Sequence, residues 1–372
     1  MIYLDNAATS FPKPRSVIAA TEECIKKYCA NSGRSSHALA VKTSEEIYSA
    51  REAVSELLSL SEPQRVSFTL NATYALNIAI KSIVKDASHV LISDLEHNAV
   101  LRPLKKLCEK NGVTFSVFST DGNIKENIIN SIKMDTKAII CTLASNVTGE
   151  YIPLEILSEI SEKFGLALIL DASQAIGHKK IDLKKHRFDA LCAPAHKALF
   201  GIQGAGFAVF SSDEFQETLI EGGSGNESKN GYMPKNLPEH FEAGTLPSPS
   251  IVALRHGIEY INSFGIENVE RKLDSLTSLF CERITALNKI RIYSAKNGII
   301  SFNFQDQSSS AIARELDKSG ICVRGGLHCA PLAHQKLGSL DLGLVRVSLS
   351  VFNGEKDCQA LFKALKSISL FV

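Results

Sequence analysis

Short apolar runs alternate with longer stretches of helical periodicity through the first two-thirds of the chain. "RVSFTL" (65–70) runs into "NATYALNIAIKSI", and "HVLISD" (89–94) into "LEHNAVLRPLKKLCEKNG". "AIICTLAS" (138–145) leads through a loop to "PLEILSEISEKFG", where Pro153 suits a helix start and Gly165 a helix end. "LALILDAS" (166–173), "FDALCAPAHK" (188–197) and "GFAVFSS" (206–212) complete the strand-like runs. This alternation predicts an α/β fold, a mainly parallel sheet with helices on both faces. Ligands of such sheets sit beyond the carboxyl ends of the strands, so the residues just after each run carry the interest.

From Glu221 to Pro249 the periodicity dissolves into Gly, Ser, Asn and Pro, which marks a functional or interface segment. A helical run follows from Ser250 to about Asn288. A smaller α+β region comes last, with "GIISFNF" (298–304), a helix near 309–319, "ICVRGG", "LVRVSLSV" (344–351) and a final helix from Glu355. The expected division is a large α/β domain over about 15–250 and a small α+β domain built from 1–14 and 251–372.

Composition narrows the function by exclusion. A net charge of +1 gives no electrostatic case for nucleic acid or an anionic membrane. The start, "MIYLDNAATS", lacks the basic and apolar regions of a signal peptide, and no run approaches the roughly 20 apolar residues of a membrane span. The nine cysteines are scattered with no Cys-x-x-Cys pair, so neither a zinc ribbon nor a disulfide framework is expected. The expectation is a reduced, cytoplasmic protein without a metal.

Lys197, in "APAHKALFG", follows a buried-looking strand beside His196, where crowding can lower an amine's pKa enough to make it a nucleophile or base. Taken alone it is more simply a solvated loop lysine. Asp171 ends the apolar run "LALILD", and an aspartate there is costly to bury without a cation. A helix cap or ion pair would satisfy it, and so would a protonated pyridine nitrogen, as pyridoxal phosphate chemistry requires. Gln174 lies on the same loop, within reach of the ring's phenolic oxygen. Asn71-Ala72-Thr73 joins a strand to a helical run and offers backbone amides to an anion, a weak signal by itself. His97 and Asn146 also follow strands; His97 either caps a helix or stacks on a planar ring.

Together "YLDNAAT", "EHNAV", "SNVTGE", "LDASQAIGH", "APAHKALFG", "FEAGT" and "RGGLHCAP" resemble the class V aminotransferase superfamily, in its cysteine desulfurase and selenocysteine lyase branch. The motifs run in the family's order from Tyr3 to about Asn353. The resemblance implies the fold type I, aspartate aminotransferase-like architecture and pyridoxal 5'-phosphate as cofactor. It assigns Lys197 as the residue that carries the cofactor, Asp171 as the pyridinium partner, Gln174 as the phenolate partner and His97 as the stacked imidazole. Ala72, Thr73 and His196 correspond to the phosphate site. Thr245 matches a phosphate contact from the other subunit, which implies a homodimer with shared sites. Arg346 matches the clamp on the substrate α-carboxylate, while His37, Asn146 and Ala8 match the substrate side. Pro194-Ala195 stands where close relatives carry Ser-Gly, and Ile202 where they tend to have proline, so one phosphate hydroxyl is missing.

Cys329, in "VRGGLHCAPLAHQKLG", matches the loop cysteine that takes sulfur from L-cysteine, leaving alanine and an enzyme persulfide. Arg324 and His328 are read as cations that favour the thiolate, and Gly325 and Gly326 as freedom for the loop to swing. The compact loop implies a sulfur-acceptor protein, within sulfur metabolism such as iron-sulfur cluster assembly. The alternatives are a selenocysteine lyase or another pyridoxal-phosphate lyase or aminotransferase of this class. A metal site from His328, Cys329 and His334 fits tetrahedral geometry poorly, because two of the ligands are adjacent.

Overall fold

A computed structural model of the chain describes residues 1–33, 35–213, 218–227, 229, 231–287 and 289–370. The strands are β1 (Ile2–Tyr3), β2 (Val66–Thr69), β3 (His89–Ser93), β4 (Thr114–Phe118), β5 (Thr136–Thr142), β6 (Ala167–Asp171) and β7 (Ala190–Pro194). They continue with β8 (Gly206–Phe210), β9 (Ile290–Lys296), β10 (Ile299–Phe304), β11 (Ile321–Cys322), β12 (Arg324–Gly326) and β13 (Leu344–Ser348). The helices are α1 (Arg15–Lys27), α2 (Ala38–Leu57), α3 (Ala72–Ile83), α4 (Asn98–Asn111), α5 (Ile124–Ser131) and α6 (Leu154–Phe164). They end with α7 (Ser248–Phe264), α8 (Ile266–Thr285), α9 (Ser309–Lys318), α10 (Pro331–Leu337) and α11 (Glu355–Ile368).

Seven strands form the central sheet in the order β2-β8-β7-β6-β5-β3-β4, and only β8 runs against its neighbours. The apolar runs behave as doubly covered strands should. Val90 and Ile92 of β3 pack into one apolar cluster, while Leu91 between them packs into the other. Helices therefore cover both faces, and the carboxyl ends of the parallel strands stay open for a ligand. A second sheet, β12-β13-β10-β9, is antiparallel, and β1 pairs in parallel with β11. The first residues of the chain thus lie among the last: Asp5 bridges to Ser348, and Asn6 Nδ2 donates to the Ser348 carbonyl at 2.9 Å.

Local signals mostly act where expected. Pro153 opens α6 and Gly165 closes it at φ 62. The helical run after Ser250 is instead two helices, α7 and α8. Gly265 between them takes φ 86, outside helical space, and breaks the run. The expected end at Asn288 lies outside the described residues. β4 and β9 went unread because they are half-exposed and lack a clean apolar run.

Candidate active site

Five strand ends meet at one cavity of about 310 Å³, at the lower end of the roughly 300–1,000 Å³ of small-ligand sites. Asn71, Ala72 and Thr73 follow β2, His97 follows β3, and Asn146 follows β5. Asp171 ends β6, with Ser173 and Gln174 just beyond, and His196 and Lys197 follow β7. Ala7 and Ala8 close one side, while Arg324 and Arg346 reach in from the smaller sheet and His328 from the turn after β12.

Burial lowers the Lys197 amine to about 8; Arg346 and Arg324 push the same way, and Asp171 opposes them. Asp171 is 3% exposed, and its Oδ1 accepts the Ser173 amide at 2.9 Å. Gln174 Nε2 donates to the Ala7 carbonyl at 2.9 Å. His97 caps α4, its Nδ1 accepting the Ala99 amide at 3.0 Å, so the neutral ring carries its proton on Nε2. Burial holds that ring down to about 4, against the pull of Asp171.

Arg346 is 1% exposed. Its Nη2 donates to Asp5 Oδ1 at 2.7 Å and its Nη1 to the Asn146 carbonyl at 3.0 Å, while Nε has no partner among the described residues. Asn146 Nδ2 in turn donates to the His328 carbonyl at 2.7 Å.

An anion fits the β2 end. Asn71 Oδ1 takes the Tyr74 amide, leaving the first amides of α3 without an intrahelical acceptor. Gly206 permits the close approach behind them, since an added Cβ would sit 2.6 Å from the Asn71 carbonyl carbon. His196 Nδ1 is buried without a partner among the described residues, and burial lowers the ring to about 4, so it is a neutral hydrogen-bonding group. Opposite, Asp171 offers a buried carboxylate and Lys197 an amine. A phosphate at one end, a ring nitrogen at the other and a carbonyl carbon near the amine match this donor set, so the residues fit pyridoxal 5'-phosphate. Pro194 and Ala195 add no hydroxyl to it.

Cys329 is exposed and lies beside the cavity rather than in its lining, with Arg324 Nη2 3.8 Å from Sγ. His328 is not the expected second cation. It is 2% exposed, and burial, then Arg346, hold it down to about 2, so it is neutral. Gly325 and Gly326 are not a hinge either: both pair with β13, and a Cβ on Gly325 would meet the Ser309 carbonyl oxygen at 2.5 Å. Gly325 lets β12 lie against α9. The ring nitrogens of His328 and His334 are committed to each other, to Arg324 and to Ser339. Among the described residues no group of three or more His, Cys, Asp or Glu side chains could hold a metal ion, and no helix is long and apolar enough to cross a membrane.

Two expected residues lie outside the cavity of this chain. Thr245 is exposed and lines a separate apolar pocket with Phe68, Tyr74 and Ile220. His37 is exposed and caps α2 through Nδ1 and the Ala40 amide at 3.3 Å.

Three contributors escaped the sequence reading. Asp5 holds Arg346; its signal was a carboxylate at a strand end, the feature that flagged Asp171. Lys13 donates to the His196 carbonyl at 3.1 Å, alongside the Ser10 amide at 3.0 Å and the Thr9 hydroxyl at 3.0 Å, fixing the peptide before Lys197. Glu96 is fully buried, and its Oε1 accepts the Thr142 amide at 2.8 Å and the Ser93 hydroxyl. Burial pushes that carboxyl up to about 8, so it is a neutral acid at pH 7.

The profile described as aminotransferase class-V matches residues 2–361. A probable cysteine desulfurase of Methanothermobacter thermautotrophicus is 30% identical, over 99% of this chain and 94% of the relative. The apo structure of a cysteine desulfurase from Thermococcus onnurineus NA1 superposes with a TM-score of 0.92 at 28% identity, covering 100% of this chain and 95% of that one. The cystine C-S lyase C-Des, in complex with its product cysteine persulfide, superposes at 0.84 with 18% identity, over 98% of this chain and 97% of that one, which shows a shared fold alone.

Proposed function

The chain belongs to the class V aminotransferase family, whose cofactor is pyridoxal 5'-phosphate, and on that premise we propose that it is a cysteine desulfurase. It moves the sulfur of L-cysteine onto Cys329 and leaves L-alanine. The observation that carries this reading is an exposed thiol, 3.8 Å from a guanidinium nitrogen, beside a cavity that holds both an amine of lowered basicity and a buried arginine.

Lys197, Asp171, Gln174, His97, Ala72, Thr73, His196 and Asn146 would hold the cofactor, and Thr245 would reach in from a second copy of the chain. When bound, the cofactor supplies the electron sink that makes the substrate's Cα proton removable. Arg346 would bind the α-carboxylate, with Ala8, Asn146 and His37 as the residues matched to the substrate side. Lys197, an amine whose basicity burial lowers, takes the Cα proton and returns it to Cα. The Cys329 thiolate bonds to the substrate sulfur as the Cβ–S bond breaks. The electron pair of that bond stays on Cβ, which is protonated to the methyl group of alanine. The persulfide then leaves on the thiol of a sulfur-acceptor protein, a use that suits iron-sulfur cluster assembly. The nine free cysteines support a reducing compartment, which we take to be the cytoplasm.

The test is incubation with L-cysteine in the absence of reductant. Alanine should form, and the tryptic peptide 325–336 should gain the mass of one sulfur atom. Cys329→Ser should keep the yellow cofactor and lose both products, because a serine hydroxyl is not ionised at neutral pH. If Cys329→Ser releases alanine at the wild-type rate, a lyase acting without a loop thiol replaces the desulfurase; selenide release from selenocysteine would then identify a selenocysteine lyase.

A further inference from the structure

His334 lies outside the cavity, is completely buried, and meets His328 edge to edge, with ring centroids 5.4 Å apart and planes 17° from parallel. Its hydrogen bonds leave a single assignment of protons. His328 Nε2 lies 3.2 Å from the Arg324 carbonyl oxygen, which can only accept, so Nε2 is the protonated nitrogen. The buried ring is neutral, so Nδ1 accepts, and His334 Nε2 at 3.2 Å must donate to it. Burial also disfavours the charged form of His334, whose Nδ1 then accepts from the Ser339 hydroxyl at 2.8 Å. The polarity is fixed from end to end: Ser339 to His334, His334 to His328, His328 to Arg324.

This chain of bonds ends at a turn that needs support. His328 and Cys329 take successive φ values of 52 and 58, the left-handed region that side chains with a Cβ disfavour. Cys329 is held there by its own carbonyl, which accepts the Asn98 amide at 2.7 Å, and the turn closes with Ala330 N–H to the Leu327 carbonyl at 3.0 Å. The helix that bears His334 is itself anchored to the large sheet. Lys336 pairs with Asp94 at 3.2 Å and with Asp121 at 2.9 Å.

We propose that His334 is a positioning residue for Cys329. By donating from Nε2 to His328 Nδ1, it holds the left-handed turn that sets the Cys329 thiol beside Arg324 at the mouth of the cavity. Its relevance to catalysis rests on the desulfurase reading, whereas the positioning itself can be measured without turnover.

The Asn98 amide opens α4, where no intrahelical acceptor exists, so its protection from hydrogen exchange reports on the Cys329 carbonyl alone. His334→Gln keeps a donor near the position of Nε2, whereas His334→Leu fills the space without one. Asn98 should exchange slowly in wild type and within about twofold of that in His334→Gln. In His334→Leu it should exchange about tenfold faster, the effect of one lost hydrogen bond, with the Val90–Ile92 amides unchanged. The same order should hold in a Cys329→Ser background, so failure of the desulfurase reading leaves this result standing. An unchanged Asn98 rate in His334→Leu, or a glutamine variant as fast as the leucine one, overturns the proposal. Should His334→Leu not fold, nitrogen-15 spectra of the wild-type histidines decide: protonated Nε2 on both is expected, and a proton on His328 Nδ1 overturns it.

Discussion

Arg346 Nη2 donates to Asp5 Oδ1 at 2.7 Å, and this one bond ties residues 341 positions apart in the chain. It also gives the most buried cation of the cavity its only ion-pair partner among the described residues. Removing one member of a fully buried pair costs about 3–5 kcal/mol, because the other charge is left stranded. Asp5 keeps 20% of its side-chain exposure, so water makes up part of the loss. Asp5→Ala should therefore cost about 1–3 kcal/mol in urea unfolding. It should also raise KM for cysteine, because Arg346 loses the contact that orients it. A midpoint within a few tenths of a kcal/mol of wild type would show that Arg346 is held by packing and the Asn146 carbonyl alone.

Lys197 has a pH signature of its own. Its ordinary value of 10.5 falls to about 8 in the folded protein, so between those values the folded chain binds fewer protons here than the unfolded one. Stability of the cofactor-free protein should then rise with pH from about 8 to 10.5, with the burial penalty felt in full below 8. Lys197→Met should flatten that slope in urea titrations. Only the neutral amine attacks an aldehyde, so capture of pyridoxal phosphate should accelerate with a midpoint near 8. A midpoint close to 10.5 would mean the amine is not desolvated.

Gly325→Ala separates a packed strand from a hinge. Its Cβ would sit 2.5 Å from the Ser309 carbonyl oxygen, a backbone atom that cannot rotate away. Overpacking of this kind costs about 1–3 kcal/mol, and the loss should appear in the unfolding midpoint of the protein. A loop hinge would behave in the opposite way, with unchanged stability and a reduced turnover number.

Thr245 can be tested by complementation. Lys197→Ala and Thr245→Ala chains, unfolded together and refolded, should recover up to about a quarter of wild-type activity if sites are shared across a two-fold axis. Half of the dimers would be mixed, and one of their two sites would carry neither change. Activity no higher than that of the separate variants would confine each site to a single chain.

Much of the architecture is legible in the sequence because buried strands are nearly continuous apolar runs, and post-strand polar residues stand out against them. Asp171, Lys197, His97 and Asn146 could be singled out on that ground, and five strand ends do meet at one cavity. Exposed strands give no such contrast. β4 and β9 are half-exposed, so their composition resembles that of loops. The break at Gly265 was hidden for a related reason, since one glycine inside an apolar periodicity is tolerated in a helix until φ is known.

What tertiary structure alone decided is the state of groups whose neighbours are distant in sequence. Beside Cys329, "RGGLH" reads as two cations and a flexible pair of glycines. Burial and Arg346, 18 residues further on, make His328 neutral, and α9 pressing on β12 makes Gly325 a contact. Arg346 likewise looks unpaired until the chain's first residues return to lie beside β13. Residue type and local pattern determine which strands form and which side chains end them. Charge, tautomer and rigidity depend on desolvation and on partners that only folding brings within a few ångströms.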